Sequence, residues 1–216
     1  MIELQSVSKS YQMRHGRKEV LRNVTFDIAK GEHLGILGRN GAGKSTLIKL
    51  IAGVEFPTSG DVIRSMSVSW PLAFGGGFQG SLSGLDNLRF VARVYGVSDE
   101  SIRPFVEDFT ELGAYLREPV KTYSNGMRAR LAFSLTMAIE FDCYLIDEVI
   151  AVGDSRFHEK CRHELFEKRR DRALILVSHD AGTVREFCSN AAVLDDGCLT
   201  RFSSIAEAYA AYEAYE

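Results

Sequence analysis

The sequence is poor in the features that would direct a chain to a special environment. Its four cysteines, Cys143, Cys161, Cys188 and Cys198, show no CxxC spacing. That speaks against a thiolate metal site or a disulfide framework and for reduced thiols in a cytosolic protein. A formal net charge of −3 over 216 residues gives no strong basic field to draw the chain to nucleic acid or anionic lipid. The most apolar stretch, Leu131 to Ile146, is interrupted by Glu140 and Asp142 and cannot span a bilayer. The first residues, Met1-Ile2-Glu3-Leu4-Gln5-Ser6-Val7, alternate like a half-buried strand and lack the basic start and apolar run of a secretion signal. There is one tryptophan, Trp70, and no aromatic array recognisable as a sugar platform. Internal repeats, low-complexity segments and long linkers are absent. The local charge cluster Glu167-Lys168-Arg169-Arg170-Asp171-Arg172 mixes both signs, as a solvated helix end does.

What is present suits one globular domain, or one core with a subdomain inserted in it: 45% of residues are hydrophobic and 25% charged. Val20 to Ile28 alternates as a strand, and Lys30-Gly31-Glu32 turns into the apolar run His33 to Leu37. Ser45 to Ala52 carries a helical pattern ended by Gly53, and Pro57-Thr58-Ser59-Gly60 reads as a turn. Gly75-Gly76-Gly77 has the least local restraint of the chain. From Leu82 to Val120 the pattern is helical, with Leu85, Leu88, Val91, Ala92 and Tyr95 on one face. Pro104 is expected in the first turn of the next helix, capped by Ser101. Another helix follows Asn125-Gly126. Cys143 to Ile146 and Ala173 to Val177 read as buried strands, and Ala191 to Leu194 with Cys198 to Phe202 as a hairpin around Asp195-Asp196-Gly197. Buried strands alternating with helices predict an α/β fold with a largely parallel sheet.

Two motifs carry chemistry. Gly38-Arg39-Asn40-Gly41-Ala42-Gly43-Lys44-Ser45-Thr46 fits the phosphate-binding pattern GxxxxGK[ST], after an apolar strand and before a helix. Its glycines let backbone N–H groups face phosphate oxygens, and the helix N-terminus adds a favourable dipole. Lys44 then neutralises β- and γ-phosphate charge, and the Ser45 hydroxyl ligates Mg²⁺. Cys143-Tyr144-Leu145-Ile146-Asp147-Glu148 is an apolar strand ending in a carboxylate. Asp147 can hold Mg²⁺ through water beside the loop. Glu148 stands where a base orients or deprotonates the attacking water.

Tyr123-Ser124-Asn125-Gly126-Met127, ahead of a helix and before the Asp-Glu strand, resembles the LSGGQ signature of ABC ATPases. Tyr replaces Leu, Asn the first Gly and Met the Gln. A serine hydroxyl, a glycine and a helix N-terminus make a second anion site, and Asn tolerates left-handed backbone better than most residues. Phe78-Gln79 resembles the Q-loop, Ala151-Val152-Gly153-Asp154 the D-loop and Ser178-His179-Asp180 the switch histidine. A neutral imidazole at that last position can bond the γ-phosphate and the attacking water. Tyr11, in Ser8-Lys9-Ser10-Tyr11, matches the family's adenine-stacking aromatic, which needs a flat π-face at the right distance. In this order the motifs identify the chain as a member of the ABC ATPase family along nearly its whole length.

That resemblance implies a P-loop NTPase core with a mostly parallel sheet, an N-terminal antiparallel β part and an inserted helical subdomain. It implies a single domain over residues 1–216, with its core at about 1–80 and 123–216 and the helical part at about 81–122. The implied nucleotide contacts are Tyr11, Gly38, Arg39, Asn40, Gly41, Ala42, Gly43, Lys44, Ser45, Thr46, Gln79, Ser124, Gly126 and Asp154. Glu148, His179 and Lys44 are the implied catalytic groups, and Mg²⁺ with ATP falls to Ser45, Gln79 and Asp147. A second copy, packed head to tail, closes Ser124 and Gly126 on the γ-phosphate of the first.

Several segments place the chain in one branch. Asp147-Glu148-Val149-Ile150-Ala151-Val152-Gly153-Asp154, with Val149 where most of the superfamily has Pro, resembles the polysaccharide-exporting ATPases. Ser69-Trp70-Pro71, Gly76-Gly77-Phe78-Gln79-Gly80-Ser81-Leu82 and Phe90-Val91-Ala92-Arg93 closely resemble capsular polysaccharide exporters of Gram-negative bacteria, with O-antigen and teichoic acid exporters as the alternative. The branch implies a cytoplasmic motor bound to a dimeric polytopic permease at the inner membrane, and through it to periplasmic and outer-membrane export proteins. Its dock is expected in the helical segment, with aromatics near Phe78 and Phe90 left exposed. The O-antigen type often adds a C-terminal sugar-binding β-sandwich, whereas this sequence stops at Glu216 after a short helix with Ile205, Tyr209 and Tyr212 on one face. Polymer recognition is therefore expected in the membrane subunits, without direct sugar binding or nucleic acid contact here. A reading of another class is a non-transport ATPase switch on a soluble partner, which would not co-purify with a polytopic membrane protein.

Overall fold

The computed structural model describes residues 1–14, 16–71, 78–147 and 154–214. The described residues fall into two compact units, one within Met1–Pro71, Phe141–Glu148 and Arg170–Glu216, the other within Leu72–Glu140 and Val149–Arg169. The expected helical span, about 81–122, falls inside the second unit, which continues past it. Gly75-Gly76-Gly77, expected to be the least restrained segment, lies outside the described residues.

The first unit holds two sheets. Strands β1 (Ile2–Met13), β2 (Gly16–Ile28) and β4 (Ser59–Arg64) form an antiparallel sheet in the order β2-β1-β4. Strands β3 (His33–Leu37), β5 (Cys143–Asp147), β6 (Ala173–Ser178), β7 (Asn190–Asp195) and β8 (Cys198–Phe202) form the second, in the order β5-β6-β3-β7-β8. Its first four members are parallel, and β8 closes the edge antiparallel as a hairpin with Asp195 opposite Cys198. The apolar runs read as buried strands are buried along their length, as parallel strands covered on both faces must be. One core joins Ile2, Leu4 and Val7 of β1, Ile36 of β3, Leu145 of β5 and Ile175 of β6 to Leu47 and Ile51 of helix α1 (Lys44–Ala52). Each such side chain stabilises the unit by about 2 kcal/mol.

The expected turn at Pro57 to Gly60 is corrected, because Ser59 and Gly60 already belong to β4. The reason is a bulge in β1, where the register with β4 slips between Gln5 and Ser8 and Ser6 takes φ 50. Gly60 meets it so closely that an added Cβ would lie 2.3 Å from the Ser6 carbonyl oxygen. Glycine here marks a bulge and a close backbone approach.

The second unit is helical: α2 (Gly84–Tyr95), α3 (Asp99–Thr110), α4 (Asn125–Ala138) and α5 (Ser155–Arg162). Phe109 is its aromatic centre, stacked on Phe133 with centroids 5.7 Å apart and edge-on to Phe157 at 5.5 Å. Three expectations change. α3 starts at Asp99 after Ser98, so Pro104 is inside the helix and Ser101 is not its cap; Asp99 and Glu100 in the first turn favour the earlier start through the dipole. On α2 the buried face runs through Asn87, Leu88, Val91 and Ala92, while Tyr95 is exposed. Arg169 also departs from the solvated reading of its cluster, being buried with Glu164 as its ion-pair partner. No helix among the described residues is long and apolar enough to cross a membrane.

Candidate nucleotide site

The parallel sheet sets the geometry of the first unit's site. Leu37 of β3 pairs with Ser178 of β6, and Asp147 of β5 pairs with Val177. The loop after β3, the Asp147 carboxylate and His179 therefore share the carboxyl edge of the sheet, where open α/β folds bind ligands. Two strand spacings put the backbone of Asp147 about 10 Å from β3.

Between β3 and α1, residues 38–43 form the glycine loop. Gly43 has φ 110, and a Cβ there would lie 2.9 Å from the Val20 carbonyl oxygen; one at Gly38 would lie 2.7 Å from that of Leu194. Only glycine fits both contacts and the left-handed turn. The chain thereby enters α1 with its first N–H groups unfilled by any side-chain cap. A pocket of about 240 Å³ opens here, lined by Val20, Asn40, Gly41, Gly43, Lys44, Ser45 and Thr46. Lys44 is only 7% exposed, and its ammonium donates to the carbonyls of Gly38 at 2.7 Å and Arg39 at 3.2 Å. The loop's own backbone holds the cation at the pocket, while Ala42 N–H donates to the Arg39 carbonyl at 3.2 Å.

The donors offered to a metal on this edge are oxygens: the exposed Ser45 hydroxyl and the half-buried Asp147 carboxylate. Among the described residues no group of three or more His, Cys, Asp or Glu could hold a metal ion unaided. Such a sparse oxygen set fits a hard cation that keeps waters and takes its remaining ligands from phosphate.

His179 is exposed and held from both sides in sequence. The Ser178 hydroxyl accepts the Asp180 N–H at 2.9 Å, and Asp180 caps helix α6 (Ala181–Phe187) by accepting from Thr183 N–H at 2.8 Å and Gly182 N–H at 3.2 Å. Bonds from the Thr183 hydroxyl and these amides hold the Asp180 carboxyl below its ordinary value, so it stays charged as a cap. Tyr11 extends from β1 to Thr46, its hydroxyl donating to Glu55 at 2.7 Å and lying 3.4 Å from the Thr46 hydroxyl.

In the second unit, Ser124 is the N-cap of α4, its hydroxyl accepting from Met127 N–H at 3.2 Å. A Cβ on Gly126 would meet nothing nearer than the Ser124 hydroxyl at 3.9 Å. The start of this helix is thus open above a serine and a glycine, an arrangement able to receive an anion. Asp154 caps α5 by accepting from Phe157 N–H at 2.9 Å and pairs with Arg130. Gln79 is exposed, and its backbone is fastened by Asn87, which accepts the Gln79 N–H at 3.0 Å and donates to the carbonyls of Gln79 at 3.3 Å and Ser83 at 2.9 Å. Glu148 and the D-loop residues Ala151 to Gly153 lie outside the described residues.

The structure adds three residues that sequence reasoning passed over. Asn87 is 0% exposed, and its signal was a carboxamide standing on the apolar face of α2. Glu55, in a loop, and Arg130, one basic residue among several, carried none.

The profile of the ABC transporter family matches residues 21–151. The chain is 59% identical over 214 residues to the capsule polysaccharide export ATP-binding protein CtrD of Neisseria meningitidis serogroup B, an alignment covering 99% of each chain. It is likewise 59% identical over 212 residues to the ATP-binding protein BexA of Haemophilus influenzae, covering 98% of each. In fold it matches the dimeric post-hydrolysis structure of the ATP-binding cassette MJ0796 bound to ADP and Pi, with a TM-score of 0.81, 22% identity, and 95% of this chain and 99% of that one covered. Family profile, near full-length relatives and a cassette fold with its phosphate loop agree: the chain belongs to the ABC transporter family, as an ATPase domain whose hydrolysis of ATP is coupled to transport.

Proposed function

We propose that this chain is the motor subunit of an exporter that moves a lipid-linked capsular polysaccharide across the inner membrane. The observation that carries the reading is a formed phosphate loop, with Lys44 buried at its base, in a chain 59% identical to a capsule polysaccharide export ATP-binding protein over 99% of both lengths.

In this reading the loop N–H groups and the Lys44 ammonium bind the β- and γ-phosphates, and Tyr11 stacks on the adenine. Ser45 and Asp147 would hold Mg²⁺, Asp147 through water, with Gln79 reaching the ion or the attacking water. Bound there, the ion supplies charge neutralisation to the phosphate oxygens. Glu148 takes the proton of the attacking water, and His179 bonds the γ-phosphate from the position that Ser178 and Asp180 fix. Two copies face head to tail, so that Ser124 and the start of α4 in one close on the γ-phosphate bound by the other, with Asp154 at the seam. Closure and reopening move the permease. Leu82, Phe90, Val94 and Tyr115, all exposed large apolar side chains of the helical unit, support a permease dock there. The chain then works peripherally, on the cytoplasmic side.

The test is purification from membranes combined with turnover. The chain should co-purify with a polytopic partner, and Lys44→Ala should abolish ATP-driven export in that complex. An active ATPase that assembles only with a soluble partner would overturn the export reading.

A further inference from the structure

Tyr11 does not stand alone beside the phosphate loop. Its hydroxyl donates to Glu55 at 2.7 Å. A phenol has one proton, so at the 3.4 Å contact with Thr46 the threonine hydroxyl is the donor. Glu55 is itself held by Lys9 at 3.2 Å and Lys49 at 3.3 Å, and Lys9 also donates to the Phe56 carbonyl at 2.8 Å. Lys9 and Tyr11 are two residues apart on β1 and share a face, and the Lys9 ammonium lies 5.1 Å from the Tyr11 ring centroid. One face of the ring is thus covered by a cation, and a base would stack on the other. The Glu55 side chain is 23% exposed, dry enough for the phenol–carboxylate bond to gain over its strength in water. Burial and the carboxylate push the Tyr11 hydroxyl up, and the Tyr11 bond holds Glu55 below its ordinary value. Phenol and carboxylate therefore keep these forms at neutral pH.

We propose that Glu55 is a positioning residue for the nucleoside end of the substrate. It fixes the plane of Tyr11 through the hydroxyl, so the aromatic platform is set before nucleotide arrives. The inference rests on the reading that Tyr11 stacks on adenine. A platform with its two χ angles already fixed loses less side-chain freedom on binding. The contact to Thr46 ties it to the first turn of α1, fixing the spacing between base platform and phosphate loop.

The experiment measures binding of ATP and of inorganic tripolyphosphate to the full-length chain by titration calorimetry, with folding checked by circular dichroism. Tyr11→Ala should weaken ATP about tenfold, the scale of one lost base–aromatic stack, and leave tripolyphosphate unchanged. Glu55→Ala should weaken ATP about threefold with tripolyphosphate again unchanged. In the Tyr11→Phe background, Glu55→Ala should add nothing, because its route through the hydroxyl is gone. If Tyr11→Ala binds ATP like the parent, the stacking reading itself falls. If Tyr11→Ala weakens ATP while Glu55→Ala does not, or if its effect persists at full size in Tyr11→Phe, the positioning role of Glu55 is overturned. Equal losses for ATP and tripolyphosphate would also overturn it, placing Glu55 at the phosphates.

Discussion

The guanidinium of Arg130 reaches the Asp154 carboxylate at 2.8 Å, joining the helix that begins after Ser124 to the residue that opens α5. The same cation lies 4.6 Å from the Phe157 ring centroid and 3.6 Å from Glu111, which Lys160 holds at 2.7 Å. The Arg130 side chain is 17% exposed and Asp154 64%, so the pair alone is a surface pair of small worth, and the guanidinium is placed by its several partners together. One side chain of α4 therefore holds the cap of α5.

Arg130→Ala should lower ATP turnover about tenfold, the scale expected when reacting groups shift by less than an ångström. Nucleotide affinity of the phosphate loop should stay within about twofold, since Arg130 is not among the residues lining the pocket at that loop. Arg130→Lys should recover only part of the turnover because it keeps the charge and loses the fork. Parallel turnover and binding measurements on one preparation decide it; unchanged turnover in Arg130→Ala refutes the coupling.

Gly43→Ala should cost about 2 kcal/mol of stability. The substitution places a Cβ 2.9 Å from the Val20 carbonyl oxygen at a residue with φ 110, combining a steric clash with a strained backbone. Urea unfolding reads the loss, and ATP binding should fall with it because the loop N–H groups lose their aim. A variant with parental stability would show that the loop relaxes without penalty.

Much of this was legible before the structure because the signals were local. A glycine loop between an apolar strand and a helix, continuous apolar runs for β5 and β6, and Asp195-Asp196-Gly197 for the closing hairpin each depend on neighbours in sequence. What escaped depends on partners far along the chain. Gly60 serves a bulge at Ser6, Tyr11 is anchored by Glu55, and Arg169, although its ion-pair partner Glu164 is close in sequence, is buried because the carbonyl of the distant Met137 also meets it. Asn87 was concealed differently: an apolar periodicity averages over one carboxamide, although that carboxamide organises the backbone around Gln79.

Asn87→Leu should destabilise the helical unit by about 1 kcal/mol, the low end of what a partly buried group left without its partner costs. That group is the Gln79 N–H; the Ser83 carbonyl keeps the backbone N–H of residue 87. Asn87→Asp keeps the acceptor for Gln79 but puts a charge at a 0% exposed position, so it should be no better at neutral pH. If Asn87 acts on function through Gln79, its effect on permease-stimulated ATPase should be non-additive with Gln79→Ala. Full additivity would confine Asn87 to a role in packing.

Acid should loosen the helical unit through one buried ion pair. Arg169 Nη1 donates to Glu164 Oε1 at 2.6 Å and to the Glu164 carbonyl at 2.8 Å, while Nη2 donates to the Met137 carbonyl at 2.7 Å and to Glu140 at 3.2 Å. Arg169 and Glu164 are 8% and 6% exposed. The guanidinium so satisfies a carbonyl at the C-terminal end of α4, where helices leave such groups unpaired. Burial alone would raise the Glu164 carboxyl; hydrogen bonds from Arg169 and Lys168 outweigh it and hold the group below its ordinary value. A carboxyl lowered on folding contributes stability that is complete above the unfolded value, about 4.3, and is lost as pH falls through the lower folded value. The helical signal should therefore weaken below about pH 4 in the parent. Arg169→Met leaves a buried carboxylate without its main partner, which costs about 3–5 kcal/mol and moves the acid transition to higher pH. Glu164→Gln removes the titrating group and should flatten the acid limb even though it is less stable at neutrality. Acid titrations of the three proteins by circular dichroism separate these outcomes, and coincident midpoints for parent and Arg169→Met would disprove the role assigned to the pair.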